Sequence, residues 1–217
     1  MSRYTIRCTL LSDTALGSGR GLAGGVDTDV QHDALGLPFI HGRTLKGLLT
    51  TSCAEVLAAL RHTQPNTYAG FAEAATWLFG APGSLLAANA ALHIGHAELP
   101  IDLRDALAYA KLSAQDVLAA FTSIRRQTAI DEKTGAADEH SLRSMRVLTR
   151  GLQLDSVVIA QRKLSPLEET VLAACVRVTR NIGLHRSRGL GHVQLSLLNT
   201  AGQPIVTNFK NELMGGK

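Results

Sequence analysis

The sequence predicts an α+β domain with an antiparallel sheet backed by helices, and three observations predict it. Residues 3–11, RYTIRCTLL, alternate strictly, with Tyr4, Ile6, Cys8 and Leu10 on one side and Arg3, Thr5, Arg7 and Thr9 on the other. Period-two alternation marks a half-buried strand. From Thr44 the period changes: Leu45, Leu48, Leu49, Cys53, Val56, Leu57 and Leu60 fall on one helical face. Ser165-Pro166-Leu167-Glu168 reads as a capping box with proline at the first helical position, the start of a second long helix.

The elements follow in order. The first strand covers residues 3–11 and the first helix 43–61, with Arg43, Lys46 and Thr50 off its apolar face. A shorter helix, 69–79, ends at Gly80-Ala81-Pro82-Gly83. ALHIGHAEL (91–99) reads as a strand and residues 102–120 as one helix. GLQLDSVVIA (151–160) is a β-type run closed by a turn, and the helix over 165–181 stops at Gly183. GHVQLSLL (191–198) is the last strand. Without insertions the order is strand, helix, strand, strand, helix, strand, the split βαβ pattern of ferredoxin-like (RRM-like) folds. The insertions, 12–42 and 100–150, are too long for idle loops, so function is sought there.

At 217 residues and 45% hydrophobic content the chain reads as a single domain, 1–217, with a sizeable core. The 22 basic residues outnumber 18 acidic ones. Their distribution says more: no acid falls between Glu169 and Glu212, where Arg177, Arg180, Arg186, Arg188 and Lys210 lie. Such a basic zone suits a phosphate backbone. Cys8, Cys53 and Cys175 lack zinc or C-x-x-C spacing and sit in apolar surroundings, so buried free thiols in a reducing compartment are expected. No apolar run reaches membrane-spanning length and the N-terminus lacks a signal-peptide core, which points to a soluble cytoplasmic protein.

Several segments carry candidate chemistry. GSGRGLAGG (17–25) does not make a dinucleotide fingerprint, because Leu22 occupies the third glycine's position. GLPFIHGRT (36–44) is not a P-loop, since arginine replaces the lysine. GLHRSRGLGHV (183–193) is a stronger phosphate candidate: Gly183, Gly189 and Gly191 allow close backbone approach, Arg186 and Arg188 supply forked donors, and Ser187 lies between them. Gly42, Arg43, Thr44 and Lys46 open the first helix, where free N–H groups favour anions. Residues 122–150 suggest a protruding hairpin carrying Arg125, Arg126, Arg143 and Arg146 toward a partner. His93 and His96, three apart on a strand, should face opposite sides and not share a metal. Asp27, Asp29, His32 and Asp33 form an acidic cluster able to hold Mg²⁺ or polarise a nucleophile; composition alone leaves the three acids equal.

Four motifs in order carry a resemblance over nearly the whole chain. They are Gly25-Val26-Asp27 through Asp33 to Gly36-Leu37-Pro38-Phe39-Ile40-His41-Gly42-Arg43-Thr44-Leu45-Lys46-Gly47, then WLFG (77–80), IDEKTGAADEHSLR (130–143) and GLHRSRGLGHV. Together they resemble the RAMP superfamily, specifically the repeated backbone subunit of type III CRISPR effector complexes. The resemblance implies binding of CRISPR guide RNA along a filament of like subunits, beside other effector subunits, and metal-dependent cutting of paired target single-stranded RNA. It implies Asp27 as the catalytic acid and tentative metal ligand, acting as a ribose 2′-OH attacks the adjacent phosphate; Asp29 and His32 lie outside the family's motif, and Asp29, His32 and Asp33 stand as candidate helpers, with Asp29 the alternative functional acid. The Gly42–Lys46 turn and the glycine-rich loop would grip the guide, and the 122–150 hairpin would wedge into the duplex as a thumb. Aromatics at 4% fit backbone gripping better than stacking readout. His41 departs from the family's proline, Arg43 and Thr44 from its paired serines, and Arg146 from a common acid. The alternatives are a non-catalytic guide-binding scaffold and a guide-processing ribonuclease using His32 or His41 as base.

Overall fold

The computed structural model describes residues 1–19, 25–81, 90–130, 133–137 and 141–205. Lys210, most of the 17–25 glycine run, Pro82-Gly83, and Asp131, Glu132 and Asp138 to His140 of the 130–143 motif lie outside them. The elements run β1 (Ser2–Leu10), β2 (Phe39–Ile40), α1 (Gly42–Thr63), α2 (Pro65–Phe79), β3 (Leu92–Glu98), α3 (Ile101–Ala110), α4 (Ala114–Phe121), β4 (Thr122–Gln127), β5 (Arg143–Leu148), β6 (Gln153–Ala160), α5 (Pro166–Val178) and β7 (Val193–Leu198).

Five strands form one sheet in the order β2-β3-β6-β1-β7, and every pairing in it is antiparallel. Without the short edge strand β2, the four long strands stand fourth-first-third-second, the arrangement expected of the split βαβ pattern. Alternation explains the layering. Tyr4, Ile6, Cys8 and Leu10 of β1, Leu154, Val158 and Ala160 of β6, and Val193, Leu195 and Leu197 of β7 are buried beneath α1, α2 and α5. Leu45 and Leu49 of α1 and Leu172 of α5 are fully covered, each stabilising the fold by roughly 1.5–3 kcal/mol.

The capping box forms as expected: Ser165 Oγ accepts from Glu168 N–H, and the Glu168 carboxylate accepts from Ser165 N–H. The three cysteines are buried and free, and burial pushes the Cys8 thiol up to about 12.

Two expectations need correction. The single helix over 102–120 is two, α3 and α4, because Lys111 adopts a left-handed conformation that ends the first turn run. Ser113 then restarts it, its Oγ accepting from Asp116 N–H at 3.1 Å. The second helix also begins earlier than residue 69, since Pro65 occupies its first turn. Among the described residues no helix is long and apolar enough to cross a membrane.

Candidate nucleic-acid interface

The two insertions meet. Residues 14–18 and 27–32 run side by side, with Ser18 N–H donating to Asp29 O at 2.9 Å and Gln31 N–H to Leu16 O at 3.0 Å. The second segment also lies along β5, which pairs with β4 as a separate two-stranded hairpin. Asp27 and Thr28 N–H groups donate to Ser144 O, and Arg146 N–H donates to Thr28 O at 2.9 Å. The hairpin base is therefore a platform for the acidic segment, and packing there buries Met145 and Val147 against Ala15 and Leu190.

On this platform the three acids separate. Asp29 is 9% exposed; its Oδ1 accepts from Val30 N–H at 2.8 Å and from Arg146 Nε at 2.9 Å. Arg146 also donates to Thr122 Oγ1. That pair locks the segment to the hairpin. Asp33 organises a turn, its Oδ1 accepting from Leu35 and Leu37 N–H, and His32 Nδ1 is bonded to Asp33 O at 2.9 Å. Asp27 alone is exposed. Its Oδ2 accepts from Ser144 N–H at 2.6 Å and Ser144 Oγ at 3.0 Å, while no other described residue donates to Oδ1. Those bonds, backbone first, then the hydroxyl, with Arg143 nearby, hold its carboxyl below the usual range. Ser144 had no sequence signal: nothing local marks a serine that meets an aspartate 117 residues away.

The hairpin arginines are not four outward cations. Arg146 is engaged by Asp29, and Arg125 donates to Asp13 at 2.6 Å. Asp13 also accepts from Arg150 N–H, while its own carbonyl accepts from Gly191 N–H. Burial would raise its pKa, but Arg125 and the Arg150 N–H outweigh that and hold it below the usual range. Arg126 and Arg143 are exposed and make no ion pair among the described residues.

The glycine-rich loop and the start of α1 come together. Arg186, Ser187 and Arg188 form an exposed single 3₁₀ turn with no ion pair among the described residues. Its glycines differ in task. Gly191 has φ +76° and its Cα faces Ile182 O so closely that a Cβ would lie 1.9 Å away, so it serves packing. Gly189 faces open space. Gly42 likewise serves packing: a Cβ there would lie 2.1 Å from Ile94 O, which seats α1 against β3. No side chain caps α1; Gly42 N–H donates to His96 Nδ1 at 3.1 Å, and Arg43 and Thr44 are exposed beside it. Burial lowers the pKa of half-buried Lys46.

Between loop and helix lies a cleft of about 250 Å³, lined among others by Thr44 and His41 on one side and Gly183, Leu184 and Arg186 on the other. His41 sits in a ring cluster with Phe39 at 5.0 Å and His96 at 5.2 Å. His96 reaches it because a bulge breaks β3 between Ile94 and Ala97. His93 and His96 are both exposed, so the strict alternation expected for the H-x-x-H pair does not hold. Among the described residues no group of three or more His, Cys, Asp or Glu is placed to hold a metal ion.

A family model described as the RAMP superfamily matches residues 7–194. No curated protein sequence matches the chain. Among solved structures, a chain of the cryo-EM structure of type III-B Cmr-beta bound to cognate target RNA is 14% identical, with TM-score 0.62 and coverage of 91% of this chain and 97% of that one. A chain of the apo-state Cmr-beta structure is also 14% identical, with TM-score 0.63 and coverage of 92% and 98%. At that identity the likeness shows the shared fold.

Proposed function

Because the chain belongs to the RAMP superfamily, we propose that it is a backbone subunit of a type III CRISPR effector complex that binds guide RNA and cuts paired target RNA at Asp27. The observation that carries this reading is the cleft. It joins Thr44 at the α1 start to Arg186 in the glycine-rich loop, two segments far apart in sequence, at a surface whose cations make no ion pair among the described residues. The α1 N–H groups and Arg43, Lys46, Arg186 and Arg188 suit successive phosphates of one strand. The Cmr-beta relative of the same fold was determined with cognate target RNA. Copies of this chain in a filament, and other effector subunits, would be its protein partners.

Cutting follows from Asp27. The ribose 2′-oxygen gives its proton to solvent water and bonds to the adjacent phosphorus, the P–O5′ bond breaks, and the departing 5′-oxygen takes a proton from water, leaving a 2′,3′-cyclic phosphate and a 5′-hydroxyl. A carboxylate held below its usual range is a poor proton sink, so Asp27 Oδ1 acts by accepting the 2′-OH hydrogen bond and fixing its line of attack. Ser144 fixes Oδ2 and leaves Oδ1 for the RNA. The exposed Asp27 carboxylate would suit a hydrated divalent cation such as Mg²⁺. When bound, that ion supplies charge neutralisation, and Asp27 is the residue that would hold it.

The test is single-turnover cutting of guide-complementary RNA. Asp27→Ala should slow it by about 10²–10⁴-fold with guide affinity unchanged. Undiminished cutting by that variant would move the catalytic role to Asp29 or elsewhere, and guide binding with no cutting by the unsubstituted protein would replace the enzyme with a non-catalytic scaffold.

A further inference from the structure

A second cavity, of about 290 Å³, opens at the edge of the sheet where α5 ends and β7 begins. Arg177, Arg180 and His192 line it, with Gln194, Leu195 and Ser196 of β7 along one wall. It shares no lining residue with the cleft at the start of α1. β7 is an edge strand, paired with β1 on one side only. On its free side Val193 N–H donates to Arg180 O, and Leu197 O accepts from Ile205 N–H, both at 2.8 Å. Alternate residues of an antiparallel strand present their N–H and C=O groups to the same side. Leu195, between those two, therefore turns its N–H to the free edge, where it has no partner among the described residues. Leu195 is 5% exposed, and a covered N–H without a partner costs free energy that a ligand can recover.

The charge around that donor has one sign. Arg177 and Arg180 are exposed and make no ion pair among the described residues, and no acid lines the cavity. The C-terminal end of a helix attracts cations, which accounts for Arg177 in the last turn of α5. It does not account for Arg180, beyond the helix, or for His192 at the entry to β7. One open N–H between two occupied positions is too short for an added partner strand, which needs a run of free backbone groups. It suits a compact anion.

We propose that this edge cavity is a second anion site, one that takes a phosphate group. One phosphate oxygen accepts from Leu195 N–H and the others from the Arg177 and Arg180 guanidiniums, beside His192. The phosphate belongs to a nucleoside monophosphate or to a stretch of RNA outside the cleft at α1. The volume, below that of drug-sized pockets, fits one phosphate and part of its sugar. Only the RNA source rests on the RNA-binding reading above.

The experiment follows the Leu195 amide of the full isotope-labelled chain by NMR during titration with inorganic phosphate at constant ionic strength. A saturable downfield shift of that amide proton is expected. Arg177→Ala with Arg180→Ala should weaken the titrated affinity by about tenfold or more. Arg61→Ala, in the last turn of α1, should leave it unchanged. Adenosine monophosphate and an RNA oligonucleotide without terminal phosphates then compete with the inorganic phosphate. Displacement by the mononucleotide assigns a small ligand, and displacement by the RNA alone assigns the strand. A Leu195 amide that phosphate leaves in place, or that chloride shifts equally, overturns the site. Displacement by polyglutamate but by neither nucleotide competitor also overturns it and gives the edge to an acidic protein. An RNA that binds nowhere on the chain overturns the RNA-binding reading and leaves the phosphate site standing.

Discussion

The acidic segment and the glycine-rich loop are the two most conspicuous stretches of the chain, and the fold treats them in opposite ways. In residues 27–33 most of the charge is turned inward: Asp29 holds Arg146 and Asp33 holds a turn, so one carboxylate, Asp27, remains outward. In residues 183–191 the glycines Gly183 and Gly191 are turned inward against Ala15 and Ile182, and the cations Arg186 and Arg188 remain outward. A charged residue is available to a ligand when the fold leaves it exposed and without an ion-pair partner among the described residues. By that standard Asp27, Arg186 and Arg188 are functional candidates, while Asp29, Arg125 and Arg146 are structural.

The sharpest way to break this comparison is to exchange the two neighbouring acids. Asp29→Ala leaves the largely covered Arg146 without its counter-charge and should cost about 3 kcal/mol of stability, read as a lowered midpoint in urea. Asp27→Ala removes an exposed group and should leave that midpoint unchanged. Equal destabilisation by both would erase the distinction between them.

The loop gives the next largest effect. Arg186→Ala with Arg188→Ala should reduce the slope of log K against log salt by about 1.4 and weaken guide binding about 25-fold at 0.1 M salt, at about 0.7 per lost phosphate contact on a single strand. Arg125→Ala, whose charge answers Asp13, should leave the slope unchanged. An altered slope there would mean that an internally paired cation still reaches RNA.

Ser144 sharpens the acidic half. Ser144→Ala removes the hydroxyl bond to Asp27 Oδ2 but keeps the N–H bond, so cutting should slow about tenfold without a change in target affinity. Ser144→Thr, which restores a hydroxyl, should recover most of the loss. A merely structural serine would show no such recovery.

How much of this was legible in the sequence follows from distance along the chain. Period-two alternation placed β1, and short β-type runs placed β6 and β7, within two residues, and the Ser165 capping box placed α5, because these signals are local. The break at Lys111 was missed although Ser113 and Asp116 spell a helix start, since the apolar pattern runs through it. The tasks of the acids were not legible at all. Asp27 meets Ser144 and Asp29 meets Arg146 across 117 residues each, and no periodicity reports such a pairing. Resemblance singled out Asp27; the hydrogen bonds supply the physical reason why it is the outward one.

The smallest effect tests the cleft that lies between the two regions. His41 is faced by His96 from β3 and by Arg43 from its own helix, with Arg186 lining the same cleft, and burial acts first to disfavour its charged form. Its folded pKa therefore lies below the ordinary 6.5, so the unfolded chain binds the proton more readily. The stability this gives is present above pH 6.5 and declines as pH falls through that value toward the lower folded one. His41→Gln should flatten the thermal midpoint across that window by a small but measurable slope, with the neutral-pH midpoint little changed. An anion seated in the cleft favours the imidazolium, so RNA should reduce the same slope in the unsubstituted protein. A slope that RNA leaves untouched would place the bound phosphate away from His41 and loosen the link between the loop and the start of α1.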